Sequence, residues 1–466
     1  MNTAMANPRD RISMLPTNLL CCIISLLPFN EAVRTCILSK RWYHVWRSMK
    51  NIEFLESFFV KIDDPEETKE VQRRNFFDFI RQWMGNYYET DVNSFCLTFS
   101  KPGNFPVDVE NCTRFAISHN VKEFGLDFHD PSWREDDVED HEAVFDLPMR
   151  MYSHKGLESL KLFSCNFVSK EFKVFSALKQ LSFGWMELNL DSIKFLLEHC
   201  PSLESLSLKK CWNIDHLDIS VPNLRLQSLV LDKCRFLKPV FLIEAPNLRL
   251  FKYNGTVGHF HFERQRSMVE ADLDFSLETE FEETGQTLYE LLQQLFPVRV
   301  LTVCSYMLQV VPHGEEPLGL SSPLNVNRLT LNTAVHSNEF CGIKFMLQSC
   351  PQLQTLTINI VPAKIFPDYV APYEFNPQEF WTKNLVIYRC IKESLRVVEV
   401  KGFKGTVNEL YILQYLVRFG PLLQQLNLYL SEEVDDNGGN REAYLQRAQR
   451  VQQFIKASNY LLISIY

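Results

Sequence analysis

The sequence predicts an α/β chain. Three short N-terminal helices precede a solenoid whose short parallel strands stack into a sheet, with helices and irregular turns returning outside it. Two observations carry this reading. First, apolar residues recur in one frame (apolar, two residues, apolar, one residue, apolar). The clear cases are Leu157-Leu160-Leu162, Leu178-Leu181-Phe183, Leu203-Leu206-Leu208, Leu226-Leu229-Leu231 and Leu248-Phe251-Tyr253. Their first positions advance by 21, 25, 23 and 22 residues, inside the interval of about 20–29 residues over which one strand-and-return unit repeats. Second, the stretch from Asp10 to Met49 packs apolar residues at helical spacing between two prolines and two tryptophans. That pattern marks short helices rather than strands.

In the first helix Leu19, Leu20, Ile23, Leu26 and Leu27 mark one apolar face. Pro16 sits near its first turn, where a missing N–H costs nothing, and Pro28 is expected to stop it. Asn30 and Ser39 are the expected N-caps of two further helices, the last carrying Trp42, Val45, Trp46 and Met49 on one side. Three helices this short cannot hide so many apolar side chains among themselves, so a partner surface is expected. Residues 56–90 contain Phe76, Ile80, Trp83 and Tyr87 at helical steps, read as a connecting helix covering the first open edge of the sheet.

Looser copies of the frame start at Val92, Val121, Val298, Val326, Leu353, Leu395 and Leu423. Within each copy the alternation sends one set of side chains into the core and the flanking set to the open face. Return helices are visible at Ser192–Leu203, ended by Pro201, and at Ile343–Leu353. Residues 130–146 read as an acidic loop, 255–285 as an acidic insertion without the frame, and the four prolines from Val361 to Pro377 as a break. Tyr444, Ala448, Val451 and Ile455 predict a terminal capping helix. The resulting division is 9–55, 56–90, 91–360, 380–431 and 432–466.

The N-terminal residues resemble the F-box. The family pattern is met by Leu15-Pro16, Leu19-Leu20, Ile23, Leu27-Pro28, Arg34, the run Leu38-Ser39-Lys40-Arg41-Trp42, and Trp46. The departures are Asn18 in place of an acidic residue and Cys21-Cys22 in place of a polar pair. The array is similar to leucine-rich repeats, and Cys165, Cys211 and Cys234, each three residues after an anchor, resemble the cysteine-containing subtype. Trp381, Cys390, Leu395, Val398, Val400, Gly402-Phe403, Gly405 and Glu409 resemble the FBD region that ends many plant proteins of this kind. The resemblance implies a fold of F-box plus leucine-rich-repeat solenoid. It also implies an adaptor-binding set of Leu15, Pro16, Leu19, Leu20, Ile23, Leu26, Leu27, Pro28, Val33, Leu38, Trp42 and Trp46.

Composition sets limits on function. Lys and Arg number 48 against 57 Asp and Glu, a net charge of -9 with a pI near 5.7, so no basic footprint for nucleic acid is expected. No run of eighteen apolar residues suggests a membrane span. Thirteen cysteines are expected as free thiols, and the chain is expected in cytoplasm, nucleus or both. Paired CxxC elements are lacking, so no zinc site is expected. Asp136, Asp137, Glu139, Asp140 and His141 read as a solvated charge run, Gly402–Gly405 as a tight turn, and His199 as a helix-end residue. No catalytic set and no cofactor are expected.

The expected function is a non-catalytic substrate-recognition subunit of an SCF-type ubiquitin ligase. The F-box would dock on a Skp-type adaptor and, through it, a cullin, while the repeats hold a protein target. The alternatives are an F-box-like scaffold outside any ligase, or a receptor in which a small molecule completes the target surface. From Leu157 onward Lys161, Lys209, Lys252, Arg328 and Lys401 fall at open-face positions with only Asp232 and Glu399 among their counterparts, whereas the Val121 copy breaks the trend with Glu123 and Asp127, so a mildly basic target groove is expected in the later repeats.

Overall fold

The computed structural model describes residues 12, 14–133, 145–148, 151, 154–168, 175–263, 265–281, 284–311, 319–383, 386–434 and 439–466. The expected acidic loop lies largely outside them, including Asp136, Asp137, Glu139, Asp140 and His141. The chain divides into two compact units, Met1–Ile214 and Asp215–Tyr466.

The first unit opens with α1 (Thr17–Ile24), α2 (Phe29–Arg34) and α3 (Lys40–Val45). Its sheet and return helices are β1 (Asn51–Leu55), α4 (Glu66–Gly85), β2 (Ser94–Thr98), α5 (Pro106–Ser118), β3 (Glu123–Asp127), β4 (Ser159–Phe163), β5 (Gln180–Gly184), α6 (Leu190–His199) and β6 (Ser205–Lys209). The strands pair in chain order, all parallel. One register row shows why the leucine frame recurs: Phe54, Leu97, Leu126, Leu162, Phe183 and Leu208 stack on successive strands, every one buried. At least three strands close with a left-handed residue (Ser164, Trp185, Lys210) that turns the chain outward. Ser164 N–H then donates to Gly184 O at 2.8 Å and Trp185 N–H to Lys209 O at 2.9 Å.

The second unit contains β7 (Leu217–Ile219), β8 (Ser228–Asp232), β9 (Val240–Ile243), β10 (Leu250–Asn254), β11 (His259–Phe262), β12 (Glu270–Asp274), α7 (Gly285–Gln294), β13 (Val300–Val303), α8 (Ser305–Val310) and β14 (Arg328–Thr333). It continues with α9 (Phe340–Ser349), β15 (Thr355–Ile360), α10 (Arg389–Glu393), β16 (Val397–Phe403), α11 (Val407–Phe419), β17 (Gln425–Leu430), α12 (Arg441–Val451) and β18 (Leu462–Ile465). From β8 to β18 the same row runs Leu231, Tyr253, Leu273, Val303, Leu331, Ile358, Val400, Leu428 and Ile465. A smaller parallel sheet, ordered β11-β9-β7, forms from the return segments.

Six expectations are corrected. The sheet starts earlier than residue 91: Met49, Ile52 and Phe54 fit the repeat frame and are buried, so β1 is already its first strand. Consequently α4 is the return helix of that repeat and packs Trp83 on Phe54 (5.4 Å) and Phe76 on Phe99 (5.9 Å). The edge at β1 meets α2 instead, through Phe29 on Phe54 at 5.4 Å. Residues 255–285 are not an insertion, because Met268, Ala271 and Leu273 fill the frame and β12 sits between β10 and β13. Finally, α1 ends at Ile24, four residues before Pro28. Pro28 rather than Asn30 occupies the N-cap position of α2, and Ile455 is 82% exposed while Tyr444, Ala448 and Val451 are buried.

The cysteines and glycines behave as their chemistry suggests. Cys165, Cys211 and Cys234 are buried, each donating its thiol to the carbonyl two residues before it, at 3.4, 3.6 and 3.7 Å. Burial pushes the Cys165 thiol well above its usual value. Gly402 and Gly405 have φ of +73° and +68°, the left-handed conformation that a tight turn requires. The Glu409 carboxylate accepts the Lys404 and Gly405 N–H groups at 3.0 and 2.8 Å, closing that turn.

Candidate functional site

The N-terminal helices have an inner and an outer side. Inside, Leu20, Ile24, Phe29, Ala32, Trp42, Val45, Trp46 and Met49 are buried. Phe29 contacts Trp46 edge-on at 6.3 Å and Trp83 at 5.8 Å, and Trp46 lies 6.4 Å from Trp83. Ser39 caps α3 by accepting the Trp42 N–H. Arg41 donates to Thr17 Oγ1 at 3.2 Å, joining α3 to α1.

Outside, an apolar surface stays uncovered. Leu26 and Ile37 are 84% exposed, Leu38 63% and Leu19 46%, with Ile23, Leu27 and Met14 also exposed. Burying one such side chain is worth roughly 1.5–3 kcal/mol, so the set stores a sizeable binding energy for a matching surface. The proposed adaptor-binding residues therefore separate. Leu19, Ile23, Leu26, Leu27 and Leu38 face solvent with Pro16 and Pro28, while Leu15 and Val33 are half-buried. Leu20, Trp42 and Trp46 are corrected to core residues, because all three are buried within the chain, Trp46 against Phe29 and Trp83. Ile37 was missed. Its signal was present, since it neighbours Leu38 in a short polar-flanked turn with nothing in the chain to bury it.

The chain matches the F-box domain family over residues 12–54 and the At1g61320/AtMIF1 LRR domain family over residues 86–442. It is 34% identical to the putative F-box/LRR-repeat protein At1g56400 of Arabidopsis thaliana, covering 92% of each chain. It is 33% identical to the F-box protein At3g62230 of the same plant over 98% of each. This chain belongs to the plant F-box/LRR-repeat family. A more distant relative, 24% identical over 91% of each chain, is the F-box/FBD/LRR-repeat protein At1g78750 of Arabidopsis thaliana. In the F-box/LRR chain, the segment 380–431 that resembles FBD forms two further strand-and-helix units, β16–α11 and β17.

The open face of the LRR strands carries both signs of charge. In the first unit Lys161 reaches Asp127 Oδ2 at 3.2 Å, and Asp127 also pairs with His129. Burial alone would raise the Asp127 carboxyl, but His129 and Lys161 beside it outweigh burial and hold it below its ordinary value. Lys209 is half-buried at the end of β6. In the second unit β12 adds Glu270, Asp272 and Asp274 beside Leu250, Lys252 and Asn254 of β10. Lys252 lies 3.5 Å from Asp272, while Arg328 and Lys401 are exposed. The expected basic groove is therefore corrected to a mixed face, because the strand that carries its acids was taken for an insertion. His199 Nδ1–H donates to the Phe195 carbonyl (2.8 Å) and the imidazole stacks on the Phe195 ring, a helix-end role.

Proposed function

We propose that this F-box/LRR protein is the substrate-holding subunit of an SCF-type ubiquitin ligase. The F-box binds a Skp-type adaptor and through it a cullin, and the repeats hold a protein target. The observation that carries the reading is the uncovered row Leu19, Ile23, Leu26, Ile37 and Leu38 on helices whose other side is fully packed. An apolar row of this size on an otherwise closed helical module fits a permanent partner better than solvent. Catalysis belongs to other subunits, and this chain contributes proximity between target and conjugating enzyme. Work of this kind belongs to cytosol and nucleus.

The test is co-purification of the tagged full chain with adaptor and cullin under proteasome blockade, beside Leu19→Asp/Leu38→Asp. Both substitutions fall on exposed side chains, so the fold should persist while the adaptor is lost. Retention of adaptor and cullin by the doubly charged variant would refute the assignment.

A further inference from the structure

The second unit contains a cavity of about 410 Å³ where β12, β13, β14 and β15 end. Its floor is acceptor-rich. Asp274 closes β12 and accepts the Ser276 N–H at 2.9 Å through Oδ1. Among the described residues that carboxylate has no cationic partner. Glu278 stands beside it and accepts the Val257 N–H at 2.5 Å through Oε1. Asn359 and Asn332, register partners on β15 and β14, are tied by one hydrogen bond of 2.8 Å from Asn359 Nδ2 to Asn332 Oδ1. That bond leaves the Asn359 carbonyl oxygen as an acceptor for an incoming group.

The walls are aromatic. Tyr306 and Phe366 meet edge-to-face at 5.5 Å, and Tyr306 is fixed by its hydroxyl against Thr284 Oγ1 at 3.0 Å. Phe366 is held by its backbone N–H, which donates to the buried Gln309 side chain at 3.1 Å. Lys364 stands at the rim, its ammonium 5.2 Å over the Phe366 ring and bonded to the Thr279 carbonyl rather than to Asp274. The cavity thus combines the Asp274 carboxylate, a spare amide oxygen and the Tyr306 ring, whose face prefers positive charge.

We propose that this cavity receives an arginine side chain of a bound polypeptide. A guanidinium is planar, always charged and carries five N–H donors, which suits a carboxylate and an amide oxygen on one side and the Tyr306 ring on the other. A carboxylate or phosphate ligand would meet Asp274 as a like charge. An aliphatic side chain would strand the polar floor without partners. The inference rests on the reading of the repeats as the part that holds a target, and it names a chemical feature of that target.

The experiment titrates the purified full-length chain, by saturation-transfer NMR, with the acetylated and amidated tripeptide Gly-Arg-Gly. The controls are the same tripeptide carrying citrulline, a neutral isostere, and free arginine. The arginine tripeptide should bind in the millimolar range, with citrulline at least about tenfold weaker. Free arginine, whose α-carboxylate meets the acidic floor, should be weaker than the tripeptide. Asp274→Asn should abolish the preference for arginine over citrulline. Ala363→Phe, on the loop beside the cavity, should block binding by filling space and leaves both carboxylates in place.

Equal affinity for arginine and citrulline, absence of binding at millimolar concentration, or unchanged binding by Ala363→Phe would each overturn the proposal. Tighter binding of free arginine than of the tripeptide would overturn the polypeptide source. Adaptor co-purification is read on the same proteins. Its loss would refute the ligase reading alone, whereas lost arginine selectivity with the adaptor retained would refute only this inference.

Discussion

At the residue scale, two leucines one position apart illustrate how burial decides a side chain's role. Leu19 is half-exposed on α1 and Leu20 is fully buried beneath it. Leu19→Asp together with Leu38→Asp should weaken adaptor binding by about 2–4 kcal/mol, on the order of a hundredfold, with little change in melting temperature. Leu20→Asp should instead unfold the helices, because it forces a charge into the core. Calorimetric titration and thermal denaturation of the three variants separate these outcomes.

Cysteine reactivity follows the same logic. Cys22 is exposed, whereas Cys165 and Cys211 are buried and bonded to backbone carbonyls. Mass spectrometry after alkylation should show Cys22 modified early and the other two only on unfolding. Rapid native labelling of Cys165 would contradict its placement.

Asp127 gives a pH signature. Its folded carboxyl is held below the ordinary value of 3.8 by His129 and Lys161 against the effect of burial. The unfolded chain therefore takes up that proton first. The stabilisation is fully present above a pH of about 4 and is lost as pH falls through the lower folded value. Urea unfolding should show wild type and Asp127→Asn separated near neutrality and converging in acid.

At the scale of elements, α4 is pinned to the first strands by a buried ion pair. Arg73 Nε donates to Glu56 Oε1 at 3.0 Å, and Glu56 also accepts the Ser100 N–H at 2.6 Å and the Ser100 hydroxyl at 3.1 Å. Arg73→Leu leaves Glu56 buried and uncompensated and should destabilise the first unit by about 3–5 kcal/mol, measured by denaturant unfolding. Arg73→Leu combined with Glu56→Gln should recover part of that loss.

The repeating strands were legible because leucine, isoleucine, valine and phenylalanine stand at their anchors. Two of the strands that were missed, β1 and β12, have Met49 and Met268-Ala271 at those places. Methionine and alanine fill anchor sites as well as leucine does where the neighbouring turn supplies volume, but they do not announce a core. Periodicity also revealed which helix faces were apolar without revealing what covers them. Trp42 and Trp46 were thus read as a partner's contacts when both are buried within the chain, Trp46 against Phe29 and Trp83. The cavity between Asp274 and Phe366 was illegible for another reason. Its lining comes from strand ends about ninety residues apart in sequence, brought together only by the stacking of repeats.

At the scale of the whole molecule, stability in a repeat array is a sum of local interfaces, so the N-terminal helices matter as a lid as well as a docking module. Phe29, Trp46, Phe54 and Trp83 form one continuous aromatic core shared by the F-box helices, β1 and α4. Deleting residues 1–50 would bare Phe54 on the edge strand β1 and Trp83 on α4. The truncated chain should melt several degrees lower and bind a hydrophobic dye in its native state. Equal melting temperatures would show the helices to be an independent appendage.

That shared core also bears on geometry. Helices that meet their neighbours through interlocked rings have no slack at the junction with the first repeats. A partner gripped on α1 and the turn before α3 is held at a set angle to β1, β2 and β3, as a bracket welded to a rail holds a tool. Any target seated on those first strands would then present its lysines at a constant reach. If the chain holds targets for ubiquitination as proposed, one aromatic cluster becomes a ruler, and lysines beyond its length would be spared whatever their chemical reactivity.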